Sequence, residues 1–473
     1  MQEFRLKNNK YKKYTMSIMV STMMTNPIIK SHGALLAETP SIDPLPGETA
    51  KNALDQLKTT LTYFDEAPLS HLASQDIDVF TRNLPKVDLH CHLEGAIDPE
   101  VLWNVAKRHG ISLPAKSLEE LRPKVQITPE DKTLIDFLKK FEIIGNIFTN
   151  KQVIKELTVG VIDKAAKDGI KHLELRFSPM YMAMAHKLKL SHVMDGVLEG
   201  VTEACAKIEN APSVNLTLIV ERQMPVEKAW EILALAKEYQ HRGIVGMDLA
   251  NDEFHFPPGP FAEVFQQARA SGLHVTIHAG EAAGAENVRT ALEALGAERI
   301  GHGVRSFEDR KVIQLLFENE TPIELALTSN TQTGAAEDLK THPFPTYLRS
   351  GLNVTLNTDD PAVSNITLSG ELALAVKTFD LTLTELRTVI TNGVKAAFVE
   401  NNAKKKLRQQ FERALVKSKV ELIHLLPLET IKEMAIIGVQ AQEISPLEEK
   451  RLIQKINQEI AAVCQQFATA PSV

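Results

Sequence analysis

The 473 residues are 44% hydrophobic and 24% charged, with a formal net charge of −7; this globular balance excludes wholesale disorder and a collagen-like repeat. No run of about 18 apolar residues reads as a membrane span, and the acidic balance argues against a nucleic-acid scaffold, which shows a basic stripe. Cys91, Cys205 and Cys464 are too few and too scattered for a disulfide framework or a CxxC zinc site, and fit a reducing compartment. Residues 1–80 read as an N-terminal extension. Its basic start (Lys7, Lys10, Lys12, Lys13) leads into a methionine-rich stretch that resembles a weak signal peptide, diluted by Ser, Thr and Asn and interrupted by Pro27. A cytoplasmic location is expected, with export the minor alternative. Pro40, Pro44 and Pro46 mark a linker, and a helical period then runs from about Glu48 to Asn83.

From Lys86 onward, short β-branched runs alternate with segments of helical period. The runs are VDLHCH (87–92), HLELRF (172–177), VNLTLIV (214–220), IVGMDLA (244–250), HVTIHA (274–279), RIGHGV (299–304), PIELAL (322–327) and NVTLNT (353–358). Eight strands alternating with helices predict an α/β fold, a parallel (β/α)8 TIM barrel over residues 81–415. A doubly wound sheet would want GxGxxG after its first strand, and that motif is missing there. Beyond about Leu415 the strand signal disappears. Residues 416–473 read as a C-terminal helical extension in which Ser445 and Pro446 suit a cap and first turn. The run Lys404-Lys405-Lys406 reads as a solvated helix face.

Unusual polar residues collect at the C-terminal ends of these runs: His90 and His92, Glu174 and Arg176, Asp248 with Asp252-Glu253, His278 with Glu281, His302, Ser329-Asn330, and Asp359-Asp360. In a (β/α)8 barrel those ends converge on the rim where the active site is built. Alternation puts His90 and His92 on one side of their strand and Cys91 on the other. Two neutral imidazoles suit a divalent transition metal, zinc above all, although HxH alone equally fits two hydrogen-bonded strand-end histidines. His278 offers a third ligand, Gly280 a close turn, and Glu281 an acid that stays protonated in a shielded pocket. Adjacent Asp359 and Asp360 repel unless a cation or proton neutralises them, although Asp-Asp-Pro also suits a turn. His302, between Gly301 and Gly303, can orient a metal-bound water or take its proton. Together they outline a mononuclear site with three His and one Asp, an acid and a base. Such a site lowers the pKa of water to about 7, which points to hydrolytic attack on an electrophilic carbon.

In their order, KVDLHCHLEG, ELRFSP, VGMDLANDE, HVTIHAGE, RIGHGV, LTSNTQTG and LNTDDP resemble the adenosine deaminase family of metal-dependent amidohydrolases, from about Leu84 to Leu415. The resemblance implies one zinc ion per chain held by His90, His92, His278 and Asp359. It implies that Glu281 protonates purine N1, that His302 orients or deprotonates the zinc-bound water, and that Asp360 shares a proton with N7. Hydroxide then adds to C6 and ammonia leaves. His92, Glu94, Asn251 and Asp360 are the expected substrate contacts. In the family, an aspartate usually stands at the position of Glu94 and touches the ribose 5′-hydroxyl, while HLEG also occurs in relatives acting on adenine or aminofutalosine. Asn251 stands where a glycine N–H usually meets purine N3, and Ala326 and Leu327 replace a frequent cysteine and proline. TLIDFLKKFEIIGNIF resembles the family's gate helix, with Phe137 and Phe141 four apart on one face; core packing explains that pair equally well. The TG ending of LTSNTQTG favours adenosine. The expected activity is deamination of adenosine and 2′-deoxyadenosine in purine salvage. Deamination of adenine or aminofutalosine is the alternative, and a catalytically silent purine-binding barrel a third reading. The expected partner is a small aminopurine nucleoside, with no nucleic acid and no membrane, and the question of a homo-oligomer is left open.

Overall fold

Eight parallel strands, ordered around one sheet as they occur in the chain, make the framework. They are β1 (Lys86–His92), β2 (Ile170–Phe177), β3 (Ser213–Glu221), β4 (Ile244–Ala250), β5 (His274–Ala279), β6 (Arg299–His302), β7 (Ile323–Leu325) and β8 (Val354–Leu356). The computed structural model describes residue 65 and residues 68–131 and 134–425. Most of the extension expected over residues 1–80 (1–64, 66 and 67) and most of the expected tail, residues 426–473, lie outside the described residues. Ile77–Leu381 and Glu385–Arg408 form one compact unit that contains the whole sheet. A second unit includes the described residues 68–76 and 409–425 and the bridge between Pro68 and Thr382.

The sheet closes through the C-terminal ends of β8 and β1. His92 N–H donates to the Asp359 carbonyl at 2.8 Å, and Asp359 N–H donates to the His90 carbonyl at 2.7 Å. This closure brings the expected metal ligands of the first and last strands side by side. Each β-α unit carries its own crossover helix, for example Leu190–Lys207 between β2 and β3 and Val226–Tyr239 between β3 and β4. The β1–β2 connection is longer and holds the helices Pro99–His109, Leu118–Val125, Leu134–Gly145 and Lys151–Lys167. Local chemistry sets their ends. Asp98 caps Pro99–His109 by accepting the Glu100 N–H, Pro99 occupies the first turn, and Gly110 ends the helix at φ 64°. The last strands are shorter than their apolar runs. The run 322–327 contributes only Ile323–Leu325, because the chain turns at Ala326 into the helix Leu327–Gln332, whose Asn330 side chain accepts the Ala326 N–H at 3.2 Å.

An ion network, not an apolar plug, fills the barrel beneath the rim. Arg176 bonds Asp248 at 2.7 Å and Glu324 at 2.8 Å, while Arg299 reaches Glu324 at 2.5 Å and Glu174 at 2.7 Å. All five side chains are at most 1% exposed. At the lower end Phe398 donates its N–H to Glu174 at 2.5 Å and lies under the Arg299 guanidinium, 3.5 Å from ring centroid to Cζ. Among the described residues, no helix is long and apolar enough to cross a membrane.

Candidate active site

At the C-terminal rim, His90, His278, His302 and Asp359 each place a ligand-capable atom within 4.8 Å of the others. His92 joins the same cluster, its Nε2 lying 3.2 Å from both Asp359 Oδ1 and His278 Nε2. Two carboxylates outside the cluster determine which way the imidazoles present their lone pairs. His90 Nδ1 bonds Glu324 at 2.8 Å and His278 Nδ1 bonds Asp248 at 3.0 Å. A carboxylate only accepts, so both Nδ1 atoms carry protons; the Nε2 lone pair of His90 then turns toward Asp359 and that of His278 toward His92 Nε2. Burial resists ionisation of Asp248 and Glu324, but His278 and Arg176 hold Asp248, and Arg176 and Arg299 hold Glu324, well below the usual carboxylate range. His90 Nε2 is buried, lies 3.1 Å from Asp359 Oδ1 and makes no hydrogen bond. Lone pairs facing a carboxylate repel in a buried space unless a cation lies among them. The donor set, imidazole nitrogens with one carboxylate oxygen, therefore fits a borderline-soft divalent metal.

The neighbouring acids have raised pKa values. Burial pushes the Glu281 carboxyl up, with the Asp359 and Glu253 charges adding to the shift. Its side chain remains 19% exposed at the mouth, with Oε2 3.5 Å from His302 Nε2. Asp360 is pushed up strongly by burial and then by adjacent Asp359, and its Oδ1 is buried without a hydrogen bond. Both groups hold a proton where an ordinary carboxyl would have lost it. Close backbone approach makes room for Asp360: a Cβ on Gly95 would sit 1.7 Å from Asp360 Oδ1. Three expected site residues, Asn251 (φ 78°), His302 (φ 62°) and Asp359 (φ 64°), occupy the left-handed region. Such strain in non-glycine residues collects at functional sites, and asparagine tolerates that region better than most, which explains how it can replace glycine at 251.

Glu94 is 4% exposed, and burial and the Glu221 charge raise its pKa to about 8. Its Oε1 accepts the Ser178 N–H at 2.8 Å, Ser178 Oγ donates to Glu221 at 2.5 Å, and Glu94 Oε2 has no hydrogen bond. At neutral pH the carboxyl is therefore protonated, and Oε2 keeps a hydrogen-bonding capacity that a substrate hydroxyl can meet. Asn251 is exposed, two residues before buried Glu253. The Phe137 and Phe141 rings meet at 5.7 Å between centroids, tilted by 43°, with Phe137 only 5% exposed. Sequence reasoning missed Glu324, Ser178, Glu221 and His342. Glu324 carried a usable signal, since it is a lone charge inside an otherwise apolar strand run. Ser178, Glu221 and His342 carried none, being ordinary residues until the fold gives them partners.

Residues 85–414 match the family model described as "Adenosine deaminase". The chain is similar to the adenosine deaminase of Shigella flexneri serotype 5b (strain 8401), with 38% identity over 327 residues, 69% of this chain and 97% of that protein. It is equally similar, 38% over 331 residues with the same coverage, to the adenosine deaminase of Yersinia pseudotuberculosis serotype IB. Among solved structures, an adenine deaminase from Arthrobacter aurescens matches with TM-score 0.64 and 29% identity, covering 72% of this chain and 99% of that one. An apo N6-methyl-AMP deaminase from Arabidopsis thaliana matches with TM-score 0.62 and 26% identity, covering 71% and 98%. The barrel, the rim cluster and these likenesses agree, and the chain belongs to the adenosine deaminase family.

Proposed function

We propose that this protein hydrolytically deaminates adenosine and 2′-deoxyadenosine, releasing ammonia and the 6-oxopurine nucleoside, with zinc as its cofactor. The observation that carries the reading is the cluster of imidazole nitrogens around Asp359 beside two carboxyls whose pKa values burial raises. His90, His92, His278 and Asp359 would hold the zinc. His302 does not complete that set, because Asn330 Nδ2 meets its Nδ1 at 2.9 Å and, as the donor, leaves the ring proton on Nε2. Bound zinc supplies a nucleophilic water whose pKa is lowered to about 7.

The remaining work falls to the chain's own groups. Protonated Glu281 gives its proton to ring N1, which breaks the aromaticity of the pyrimidine half of the purine and makes C6 electrophilic. Asp360, also protonated, donates to N7 and fixes the base. His302 presents Nε2–H toward Glu281 and orients the nucleophile as a donor. Glu94, protonated near neutral pH, hydrogen-bonds a ribose hydroxyl oxygen through its unpartnered Oε2. Adenosine is favoured over adenine because this buried carboxyl, left with an unpartnered oxygen, needs a hydroxyl partner that a free base does not bring. Likeness to adenosine deaminases at 38% identity over nearly their whole length supports the same substrate.

The test is ultraviolet-monitored turnover of adenosine, 2′-deoxyadenosine, adenine and aminofutalosine, with metal analysis of the same samples. Rapid adenosine loss with one zinc per chain is expected. Turnover of another aminopurine in place of adenosine would keep the chemistry and overturn the substrate, and metal-loaded protein without turnover would overturn both.

A further inference from the structure

His302 Nδ1 is the end of a buried chain of hydrogen bonds whose direction is set by the backbone. The Phe344 N–H lies 3.1 Å from His342 Nδ1, and a backbone amide can only donate. His342 is 2% exposed, and burial lowers its pKa to about 4, so it is neutral and carries its one proton on Nε2. That Nε2–H meets Asn330 Oδ1 at 3.2 Å, and the same oxygen accepts the Ala326 N–H at 3.2 Å. Two donors converging on one atom identify it as the carbonyl oxygen of the amide, which leaves the NH2 facing His302 Nδ1 at 2.9 Å. Nδ1 of His302 must then accept, and its proton sits on Nε2, toward Glu281. His302, Asn330 and Phe344 are each at most 1% exposed, so water does not compete for these bonds.

We propose that His342 and Asn330 are positioning residues that lock His302 in its Nε2–H tautomer, so that His302 serves the deamination as a hydrogen-bond donor to the nucleophile and not as the base that deprotonates it. The proposal rests on the deaminase reading for its consequence, while the tautomer itself stands on the hydrogen-bond chain. Residues from three separate rim segments take part: His302 ends β6, Asn330 lies in the helix Leu327–Gln332, and His342 precedes the helix Phe344–Arg349. Reversing one link reverses the whole chain. Aspartate at 330 has nearly the shape of asparagine but no donor, so Asn330→Asp places an acceptor against Nδ1, draws the ring proton there and turns a lone pair toward Glu281.

The experiment uses the zinc-loaded full chain with 15N-labelled histidine rings, the His302 signals being those lost in His302→Gln. Nitrogen shifts should report a protonated Nε2 and a bare Nδ1 in the parent. Asn330→Asp should interchange them and lower kcat about tenfold or more, within the range for a positioned proton-transfer group, with KM, zinc content and Tm held. His342→Phe, which removes the donor to Asn330, should also lower kcat. His342→Gln keeps an N–H donor at that point and should restore kcat to within about threefold of the parent. A parent His302 protonated on Nδ1 overturns the proposal, as does Asn330→Asp with interchanged shifts and undiminished kcat. Zinc loss in step with activity would assign these residues a structural role and overturn it equally. If the parent leaves adenosine untouched, the substrate assignment fails while the nitrogen shifts still decide the tautomer.

Discussion

Individual residues at this rim are given their roles by what surrounds them. On the proposed reading Glu281 is the acid, in line with the burial that raises its pKa, and removing the proton it carries should leave binding largely intact. Glu281→Gln is therefore expected to lower kcat by about 10²–10⁴-fold, with zinc content unchanged; loss of zinc together with activity would mean that Glu281 serves the metal. His92 and His302 separate by the same logic. His92 Nε2 shares Asp359 with His90, whereas Asn330 leaves His302 with a proton on its site-facing nitrogen. Metal analysis after dialysis should find zinc depleted in His92→Ala and retained in His302→Gln. The opposite result would exchange their assignments. Glu94 tests substrate choice in turn: if its free oxygen meets the sugar, as proposed, Glu94→Ala should raise KM for adenosine more than it lowers kcat.

Elements at the rim are tied together by single side chains. Glu253 is 2% exposed within an otherwise exposed stretch after β4, and its carboxylate accepts from four consecutive amides of the β5 loop. Gly280 donates at 2.7 Å, Glu281 at 3.0 Å, Ala282 at 2.8 Å and Ala283 at 3.0 Å, with Asn287 Nδ2 adding a fifth bond at 3.2 Å. Gly280 takes φ 71°, and a Cβ there would meet Val288 Cγ2 at 2.7 Å, so the turn that presents these amides suits glycine alone. Glutamine keeps one oxygen and sets an NH2 against donors. Glu253→Gln should therefore speed hydrogen exchange at residues 280–283 and lower kcat by about 10²-fold, the cost of misplacing a reacting group by roughly 1 Å. Unchanged exchange would show that other contacts hold the loop, among them the Arg305 N–H bond to the Gly280 carbonyl at 2.8 Å.

At the scale of the whole molecule, the ion network inside the barrel links the site to global stability. Burial resists ionisation of Glu174, but Arg299 and His172 outweigh it and bring the pKa down to about 2, against 4.5 for a free glutamate. A depressed carboxyl favours the fold fully above its unfolded pKa, and that contribution is lost as the pH falls from about 4.5 toward 2. Denaturant unfolding should show stability falling across that window, with a shallower fall in Glu174→Gln. Arg299→Leu takes the guanidinium from Glu174 and leaves Glu324 to Arg176 alone, and should cost about 3–5 kcal/mol, the usual penalty for breaking a buried pair by removing one partner. A loss below about 1 kcal/mol would place that network outside the forces holding the barrel together.

The sequence by itself determined the number of strands, their order and the rim position of the polar residues, because β-branched runs and their periodicity are local. His90, His92, His278, Glu281, His302, Asp359 and Asp360 were legible because motif order and strand-end placement need no knowledge of contacts. The tertiary structure alone decided protonation and direction. His90 owes its proton position to Glu324, 234 residues away, and His278 to Asp248, 30 residues away. Ser178 joins Glu94 to Glu221 only because β1, β2 and β3 lie side by side. His342 looks like any loop histidine until it faces Asn330. Hydrogen-bond polarity and burial belong to pairs of groups, and folding alone determines which groups become pairs.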